Sequence, residues 1–531
     1  MRKEKILKKI LTVSLSLCMS VSLGISAYAA KGSPMQTETT TADGKTQVTV
    51  AWGNQLQSLS PFQLPYGGYD AVLEECLEGL GVYDSNYKMK LVMAKEVTQL
   101  DEEGYKFNIE IYDYIHDSEG NPITIDDVLF SFEKADQSGN ATQHLSKMKS
   151  ATKVDDYNMI IEMKDNGVGA LEQIMWKVRI VSQKAFEETG DEMATKLVGT
   201  GPYKIKEFKQ GAYLITEKNE NYWQTNKELR GPYAMQNVDQ IKKVFIAENS
   251  QREIALQTGT VDISGGQEYS SVDQLSNYED IVYKGIATNN NWFLFPSSSG
   301  ALADENLRKA VFYAVDEQAI ISSVFNGFAI PCILGLDFTD DYNPEWENKD
   351  NYSYDPDKAR ELISEVGAEG THLKMICNSG SAGNVEMMEL VQAYLMEVGL
   401  DAEVVIQENA TFNKDAADPT TYDLIAEQYG LATTIQDWRL ILDEENWGGK
   451  TRFGFQDPEL QELLKTAYTP STHTQENMDI LYDYIIDNAY MKGICRHENV
   501  YMWRSDSVVK DVAVNASRQF LPHCCTYIWN E

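Results

Sequence analysis

Basic residues are scarce in this sequence. Its 531 residues include 46 lysines and arginines against 81 aspartates and glutamates, giving a net charge of −35. An acidic surface of this kind repels nucleic acid and anionic lipid, so we expect no nucleic-acid partner.

Cysteine is also sparse, and apart from Cys18 the cysteines are scattered, unlike those of small disulfide-rich proteins. We expect mostly buried free thiols, with at most one bridge near the C-terminus.

Histidines and complete catalytic motifs are equally scarce. None of the six histidines lies four residues from another, and His497-Glu498 is not followed by the second histidine of a zinc-protease helix. Gly449-Lys450-Thr451 resembles the end of a phosphate-binding loop, but Glu444 occupies the position where the loop needs glycine. The serine-hydrolase motif G-x-S-x-G is missing. We therefore predict a protein that is not an enzyme, with no catalytic residues, no cofactor and no metal site.

The N-terminus has the pattern of an export signal. Several lysines and an arginine precede an uncharged stretch from Ile10 to Ala30, which ends in the small-x-small sequence Ala27-Tyr28-Ala29. This pattern predicts a signal peptide over residues 1–29, followed by a flexible tether over 30–45 that is rich in threonine, serine and glycine. Leu17 before Cys18 disfavours lipidation there. We expect an exported protein, either periplasmic or held at the outer face of the membrane or cell wall.

Strand and helix patterns alternate along the rest of the chain, which predicts an α/β protein. Thr124, followed by Asp126 and Asp127, has the composition of a helix start. Near the middle, a strand-helix-strand series predicts a parallel sheet. The predicted strands are 105–111, 373–377 and 402–406, and the predicted helices are 70–80, 245–259, 304–325 and 384–398, with another beginning at Asp355.

Five sequence blocks, found in the expected order, together resemble solute-binding protein family 5, the peptide- and nickel-type binders of ABC importers. No block is decisive alone, and most read as scaffold, because glycines, prolines and aromatic anchors specify backbone and core. The blocks are Cys76–Asp84, His116–Ser131, Gly199–Tyr203 with Asn219–Trp223, Leu307–Asp316 with Gly327 after it, and Tyr354–Ala359.

The resemblance implies a two-lobed fold of the periplasmic-binding-protein type (type II, large class) with an extra inserted domain. It implies that lobe I comprises residues 46–75, 199–288 and 500–531, that the inserted domain is 76–198, and that lobe II is 289–499. It also implies a monomer that captures a ligand, most simply a peptide, in the cleft between lobes. The partner implied is a membrane permease with its ATPase subunits.

The family's ligand contacts carry over onto two segments of this sequence. One contact strand falls on Pro65, Tyr66 and Gly67, and the other runs through Tyr429, Gly430, Leu431, Thr434, Asp437 and Trp438. In the family an acidic residue here pairs with the free amine of a peptide, and Thr434 aligns with it. Either Asp437 or Glu427 replaces that acid, or the ligand is not a free-amine peptide.

Other ligands stay open at this point. Aromatic residues near the two segments would also suit an oligosaccharide or another solute on the same fold. A metal chelate fits less well because histidine is so rare, and a secreted hydrolase fits least because catalytic motifs are missing.

Overall fold

The computed structural model describes residues 41, 44–63, 73–139, 141–430, 433–444, 454–516, 518 and 520–525. Helices and strands alternate through these ranges. None of the helices within them is long and apolar enough to cross a bilayer. The strands are β1 (Gln47–Trp52), β2 (Gly81–Tyr83), β3 (Met89–Leu91), β4 (Ala94–Gln99), β5 (Lys106–Ile111), β6 (Met148–Lys153), β7 (Asn158–Met163), β8 (Tyr203–Lys209), β9 (Tyr213–Lys218), β10 (Gln240–Phe245), β11 (Ile263–Gln267), β12 (Ile281–Pro296), β13 (Ala329–Pro331), β14 (His372–Asn378), β15 (Asp401–Gln407), β16 (Leu424–Tyr429) and β17 (Lys492–Arg504). The helices are α1 (Ile125–Gln137), α2 (Thr142–Leu145), α3 (Ala170–Lys177), α4 (Gln183–Thr189), α5 (Asn249–Gln257), α6 (Tyr269–Leu275), α7 (Glu305–Tyr313), α8 (Glu317–Val324), α9 (Pro356–Glu365), α10 (Asn384–Glu397), α11 (Asn409–Ala416), α12 (Thr434–Leu442), α13 (Pro458–Tyr468) and α14 (Gln475–Asp487).

A long sheet connects the two halves of the molecule. Its strand order is β15-β14-β16-β12-β17-β11-β1-β10-β9-β8, and β13 pairs with β17 outside this path. The two central strands are unusually long, with 16 residues in β12 and 13 in β17. The C-terminal part of β12, from Asn291 to Pro296, pairs with β16. The C-terminal part of β17, from Val500 to Trp503, pairs with β11. These two strands therefore carry the chain from one half of the fold to the other.

The buried apolar residues form two large clusters, one in each half. The first runs from Val48 to Ile263 and resumes from Tyr501 to Cys525. The second lies between Trp292 and Cys495. Each fully buried large apolar side chain contributes about 1.5–3 kcal/mol relative to exposure, so each cluster can hold its own half together. Two cores joined by β12 and β17 make the α/β fold two-lobed, as the sequence predicts.

The segment predicted as an inserted domain contains its own four-stranded sheet, ordered β4-β5-β7-β6. Its buried residues belong to the first cluster. Glu78 of the first sequence block contacts Tyr222 and Trp223 of the third. Its carboxylate accepts hydrogen bonds from the Tyr222 hydroxyl and, at 2.8 Å, from the Trp223 indole N–H. These residues are buried and act as scaffold. The exact domain boundaries stay a prediction.

Several predicted elements are confirmed. Residues 105–111 contain β5, and Thr124 caps α1 through a reciprocal pair of hydrogen bonds with Asp127. Asp355 accepts the backbone N–H of Lys358 at the start of α9. The predicted strand-helix-strand series is β14-α10-β15, and β14 and β15 pair in parallel from His372 to Asn378. This unit is the clearest α/β element of the second lobe.

Three helix predictions need correction. Residues 304–325 form two helices, α7 and α8, because Asp316 accepts the backbone N–H of Ala319 and so starts a second helix. The helix predicted over 245–259 begins only at Asn249, since Phe245 still belongs to β10. Of the helix predicted over 70–80, residues 70–72 lie outside the described residues, and the rest contains only the short 3-10 turn Glu74–Cys76.

The cysteines are free and mostly buried thiols in the part of the chain that the structure describes, as expected, and Cys524 and Cys525 form no bridge near the C-terminus. Burial raises the pKa of the Cys525 thiol to about 12, which keeps it protonated and unreactive. His523 lies two residues before Cys525, and its Nε2 is 2.7 Å from the backbone oxygen of Tyr233. The contacts of His523, Cys524 and Cys525 are therefore those of buried structural residues.

Candidate functional site

The pairing of β12 with β17 is interrupted between the lobes. The register shifts between Ala287 and Asn291, and again between Trp292 and Phe293. Such irregularities bend a strand and redirect its side chains, and they are common beside functional sites. Here the interruption contains two consecutive asparagines, Asn289 and Asn290.

A cavity of about 520 Å³ lies beside this irregularity. Its wall includes the end of β1 at Trp52 and the double glycine Gly265-Gly266 of β11. These two strands are parallel neighbours, and the cavity lies at their carboxyl ends, where ligands bind in open α/β sheets. Four asparagines supply amide groups that can both donate and accept hydrogen bonds: Asn54, Asn289, Asn290 and Asn499.

Three aromatic residues form one side of the cavity and pack against one another. The ring centroids of Trp52 and Phe520 are 6.2 Å apart, and those of Tyr501 and Phe520 are 5.3 Å apart. The ring of Trp52 also lies 5.5 Å from the ammonium of Lys243. Lys243 is itself buried and paired with Glu75 at 2.7 Å, so this side is supported by the core of the first lobe.

Two arginines, Arg252 and Arg518, are the charged residues of the cavity lining over the described ranges. Arg252 donates from Nη1 to the backbone oxygens of Ile246 and Ala247, at 3.1 and 2.6 Å. Burial lowers the pKa of Arg252, and the surrounding glutamates partly oppose this. Arg518 lies over the ring of Phe338, with 5.6 Å between the guanidinium carbon and the ring centroid. The charged side chains of the described cavity wall are therefore both positive, in an otherwise acidic protein.

Two of the predicted site residues, Tyr429 and Gly430, lie beside the asparagines of β12, although neither is part of the cavity wall. Tyr429 pairs with Asn291 at the end of β16, and the Asn289 side chain donates to the backbone oxygen of Gly430 at 3.3 Å. A Cβ atom at Gly430 would lie 1.8 Å from the backbone oxygen of Asn289, so only glycine fits there. Gly430 thus contacts Asn289, a residue of the cavity wall, and a ligand contact of Tyr429 or Gly430 stays a prediction.

The other predicted residues lie elsewhere. Pro65, Tyr66, Gly67 and Leu431 fall outside the described residues. Thr434, Asp437 and Trp438 belong to α12 and are buried. The indole N–H of Trp438 donates to the backbone oxygen of Leu334 at 3.0 Å. Contact of these residues with a ligand stays a prediction.

Thr434 is tied into the core of the second lobe. Its hydroxyl oxygen accepts the backbone N–H of Leu336 at 3.0 Å and lies 3.1 Å from the hydroxyl of Thr339. Its own backbone N–H and that of Ile435 donate to the carboxylate of Asp341, at 3.0 and 2.9 Å. Asp341 thereby satisfies the first two amides of α12. The two acids considered as replacements, Asp437 and Glu427, are not part of the cavity wall.

A second set of contacts joins the segment before α3 to helices of the second lobe. The Arg439 guanidinium pairs with the Asp165 carboxylate at 2.7 Å. Gln436 donates to the backbone oxygen of Val168 at 2.9 Å, and the Val168 N–H donates to the backbone oxygen of Tyr468 at 3.1 Å. We call these residues the interlobe latch, because they connect the first cluster's side of the molecule to the second.

Sequence reasoning missed the arginines and asparagines of the cavity. One signal was available, because the run Asn289-Asn290-Asn291 interrupts an otherwise apolar strand. The arginines gave no such signal, since neither belongs to a motif. Across the described ranges, no group of three or more histidines, cysteines or acids could hold a metal ion.

Comparisons with known proteins agree with this geometry. The family model for bacterial extracellular solute-binding proteins, family 5 (middle region), matches residues 88–448. The glutathione-binding protein GsiB of Escherichia coli (strain K12) is 22% identical over 416 residues, which cover 75% of this chain and 78% of that protein. GsiB of Shigella flexneri serotype 5b (strain 8401) is 22% identical over 418 residues, with coverage of 75% and 78%.

Solved structures share the fold at low sequence identity. A putative peptide binding protein AppA from Clostridium difficile has a TM-score of 0.78 at 18% identity, covering 91% of this chain and 100% of that one. DppA from Helicobacter pylori in complex with the peptide STSA has a TM-score of 0.68 at 20% identity, with coverage of 90% and 98%. NikA from Brucella suis in complex with Fe(III)-EDTA has a TM-score of 0.74 at 19% identity, with the same coverage. At these identities the likeness establishes the fold.

Proposed function

Because this chain belongs to family 5 of the bacterial extracellular solute-binding proteins of ABC importers, we propose that it captures a peptide in the cavity between its lobes and delivers it to a permease. The observation that carries this proposal is the cavity at the carboxyl ends of β1 and β11. Its asparagine amides offer donors and acceptors together, which peptide groups need because each presents both an N–H and a C=O. The relatives named for glutathione and peptide binding favour the same ligand class.

Two further parts of the proposal concern boundaries and location. Residues 46–75, 199–288 and 500–531 form lobe I, 76–198 the inserted domain and 289–499 lobe II. The protein is exported with the help of residues 1–29 and works as a monomer at the outer face of the membrane or in the periplasm. Mass spectrometry of the secreted protein tests the export signal, since removal of residues 1–29 leaves a mature chain that starts at Ala30.

An oligosaccharide is the second candidate ligand. The aromatic side formed by Trp52, Tyr501 and Phe520 favours it, because sugars stack on aromatic rings. However, these rings already pack on one another, which leaves less free face for stacking. A thermal-shift screen with peptides, oligosaccharides and Ni²⁺ separates the candidates, since a ligand at 100 times its Kd stabilises the folded state by about 2.7 kcal/mol. Stabilisation by sugars alone would refute the peptide assignment.

Ligand capture is expected to close the cleft by bending at β12 and β17. Small-angle scattering then shows a smaller radius of gyration with saturating ligand than without it. An unchanged radius would contradict hinge closure. We also expect no turnover: peptide ligands recovered after long incubation remain intact, and cleavage that disappears on mutation of a cavity residue would contradict a purely binding role.

A further inference from the structure

The charge of the cavity is opposite to that of the whole protein. The chain has 81 acidic and 46 basic residues, yet the described wall of the cavity contains two arginines and neither aspartate nor glutamate. A cavity with low-dielectric walls concentrates the field of the charges that line it. This site is therefore suited to an anionic group rather than to an ammonium group.

Arg252 supplies a positive charge whose direct hydrogen-bond partners are dipoles, while the glutamates that act on it, Glu248, Glu253 and Glu268, lie beyond ion-pair distance. Its guanidinium donates to the backbone oxygens of Ile246 and Ala247 and to Asn249 Oδ1 at 3.1 Å. Within the described part of the chain, no carboxylate lies at ion-pair distance from it. Carbonyl and amide dipoles hold the guanidinium in place at the cavity wall, where its charge has no direct carboxylate partner among the described residues.

Arg518 is held in a strained conformation beside the cavity. Its φ of 57° lies in the left-handed region, which a side chain with a Cβ rarely adopts. The loop is fixed by the Tyr87 hydroxyl, which donates to the backbone oxygen of Ala516, and by the Arg518 N–H, which donates to Asn515 O at 2.9 Å. The ring of Phe338 supports one face of the guanidinium.

The terminal nitrogens of Arg518 are available to a ligand. Among the described residues, none accepts a hydrogen bond from them or forms an ion pair with this guanidinium, and its buried Nε also lacks a partner. A guanidinium presents donors in a planar fork that matches the two oxygens of a carboxylate. Strained backbone positions cluster at ligand-binding and other functional sites.

We propose that Arg518, in the field of Arg252, binds a carboxylate of the ligand. This inference rests on the proposed function and narrows it: the ligand is a peptide whose C-terminal or side-chain carboxylate is recognised. A free amine at its other end is not required, because the described cavity wall offers no carboxylate to pair with one. A phosphate group shares the same chemistry and serves as an arm of the test.

The experiment compares paired ligands by calorimetry on the full chain. Alanine and glycine peptides of three to five residues are used as free acids, as C-terminal amides and as N-acetylated acids, with inorganic phosphate, which has no carboxylate, as the phosphate probe. Amidation is expected to weaken binding by about tenfold to a hundredfold, the value of a charged hydrogen bond, whereas acetylation changes it little. Binding of the phosphate probe alone would overturn the carboxylate assignment.

Three variants locate the effect. In Arg518→Gln the acid and the amide should bind equally, at the affinity of the wild-type protein for the amide. Arg518→Lys keeps the charge without the planar fork and should recover part of the preference. The exposed Arg360→Gln is the matched control and should keep the full preference, because Arg360 pairs with Asp357 on the surface of α9. Arg252 is left unchanged, because it supports the backbone.

The two proposals fail in different ways. If peptides bind but acids and amides bind equally, or if Arg518→Gln keeps the preference, the carboxylate site is refuted while the peptide function stands. If no peptide binds, the peptide function is refuted, and glutarate and citrate are tested against their amides. Stabilisation by these acids that is lost in Arg518→Gln supports the carboxylate site, and its absence refutes it.

Discussion

Replacing Thr434 distinguishes a core role from a ligand-binding role for this residue. In Thr434→Val the shape is nearly kept, but the buried N–H of Leu336 loses its acceptor. Leaving such a group unsatisfied costs about 1–3 kcal/mol. For a lobe of this size, with its core between Trp292 and Cys495, Tm falls by about 2–4 °C per kcal/mol. Thr434→Ser keeps the hydroxyl and should lose much less.

Thr434→Asp should be worse. It introduces a buried carboxylate at a position whose backbone N–H already binds the Asp341 carboxylate. An unpaired buried charge costs about 3–5 kcal/mol, even though a helix N-terminus favours an exposed acid. Differential scanning calorimetry measures these losses, with the exposed Thr472→Val as control. A Thr434→Asp protein with unchanged Tm and tighter binding of free-amine peptides would refute this reasoning and restore Thr434 as an amine-site residue.

Three further outcomes are expected. Burial raises the pKa of Glu78 from 4.5 to about 7, against the opposing hydrogen bonds of its partners, so folding favours its protonated form. Its stabilising contribution is then full below pH 4.5 and falls by about 1.4 kcal/mol per pH unit up to about pH 7, and Glu78→Gln should remove this slope in urea unfolding followed from pH 4 to 8. Arg439→Gln removes the latch pair with Asp165 and, since the pair is partly exposed, should weaken ligand binding by no more than about fivefold in calorimetry. Gly430→Ala forces a Cβ atom into Asn289 and should cost about 1–3 kcal/mol in thermal unfolding and reduce ligand binding.

Controls keep these predictions specific. The exposed Glu228→Gln should leave the pH dependence of the free energy of unfolding unchanged. If that dependence survives in Glu78→Gln, it does not come from Glu78. Arg360→Gln should not change ligand affinity. If it weakens ligand binding as much as Arg439→Gln does, the interlobe latch has no specific role in closure. Gly380→Ala, where the nearest atom to the new Cβ is 3.3 Å away, should be tolerated far better than Gly430→Ala.

The sequence by itself determined the fold class and the family. Caps such as Thr124 and Asp355 act within one turn of helix, and the β14-α10-β15 unit follows from local hydrophobic periodicity. The family blocks are readable for the same reason, since they specify backbone turns and core anchors. The sequence could not show that Asp316 divides one apolar pattern into two helices, because periodicity continues across the break.

Only the tertiary structure decided which residues form the cavity. Arg252, Asn289 and Arg518 are far apart in the chain and meet because β1, β11, β12 and β17 are neighbours in one sheet. Alignment to the family predicts Thr434 at the ligand, and only the structure showed that Thr434 is buried at the start of α12, where Asp341 accepts its backbone N–H. Local pattern fixes elements, but the side on which a side chain lies depends on long-range pairing and packing, which no short stretch of sequence encodes.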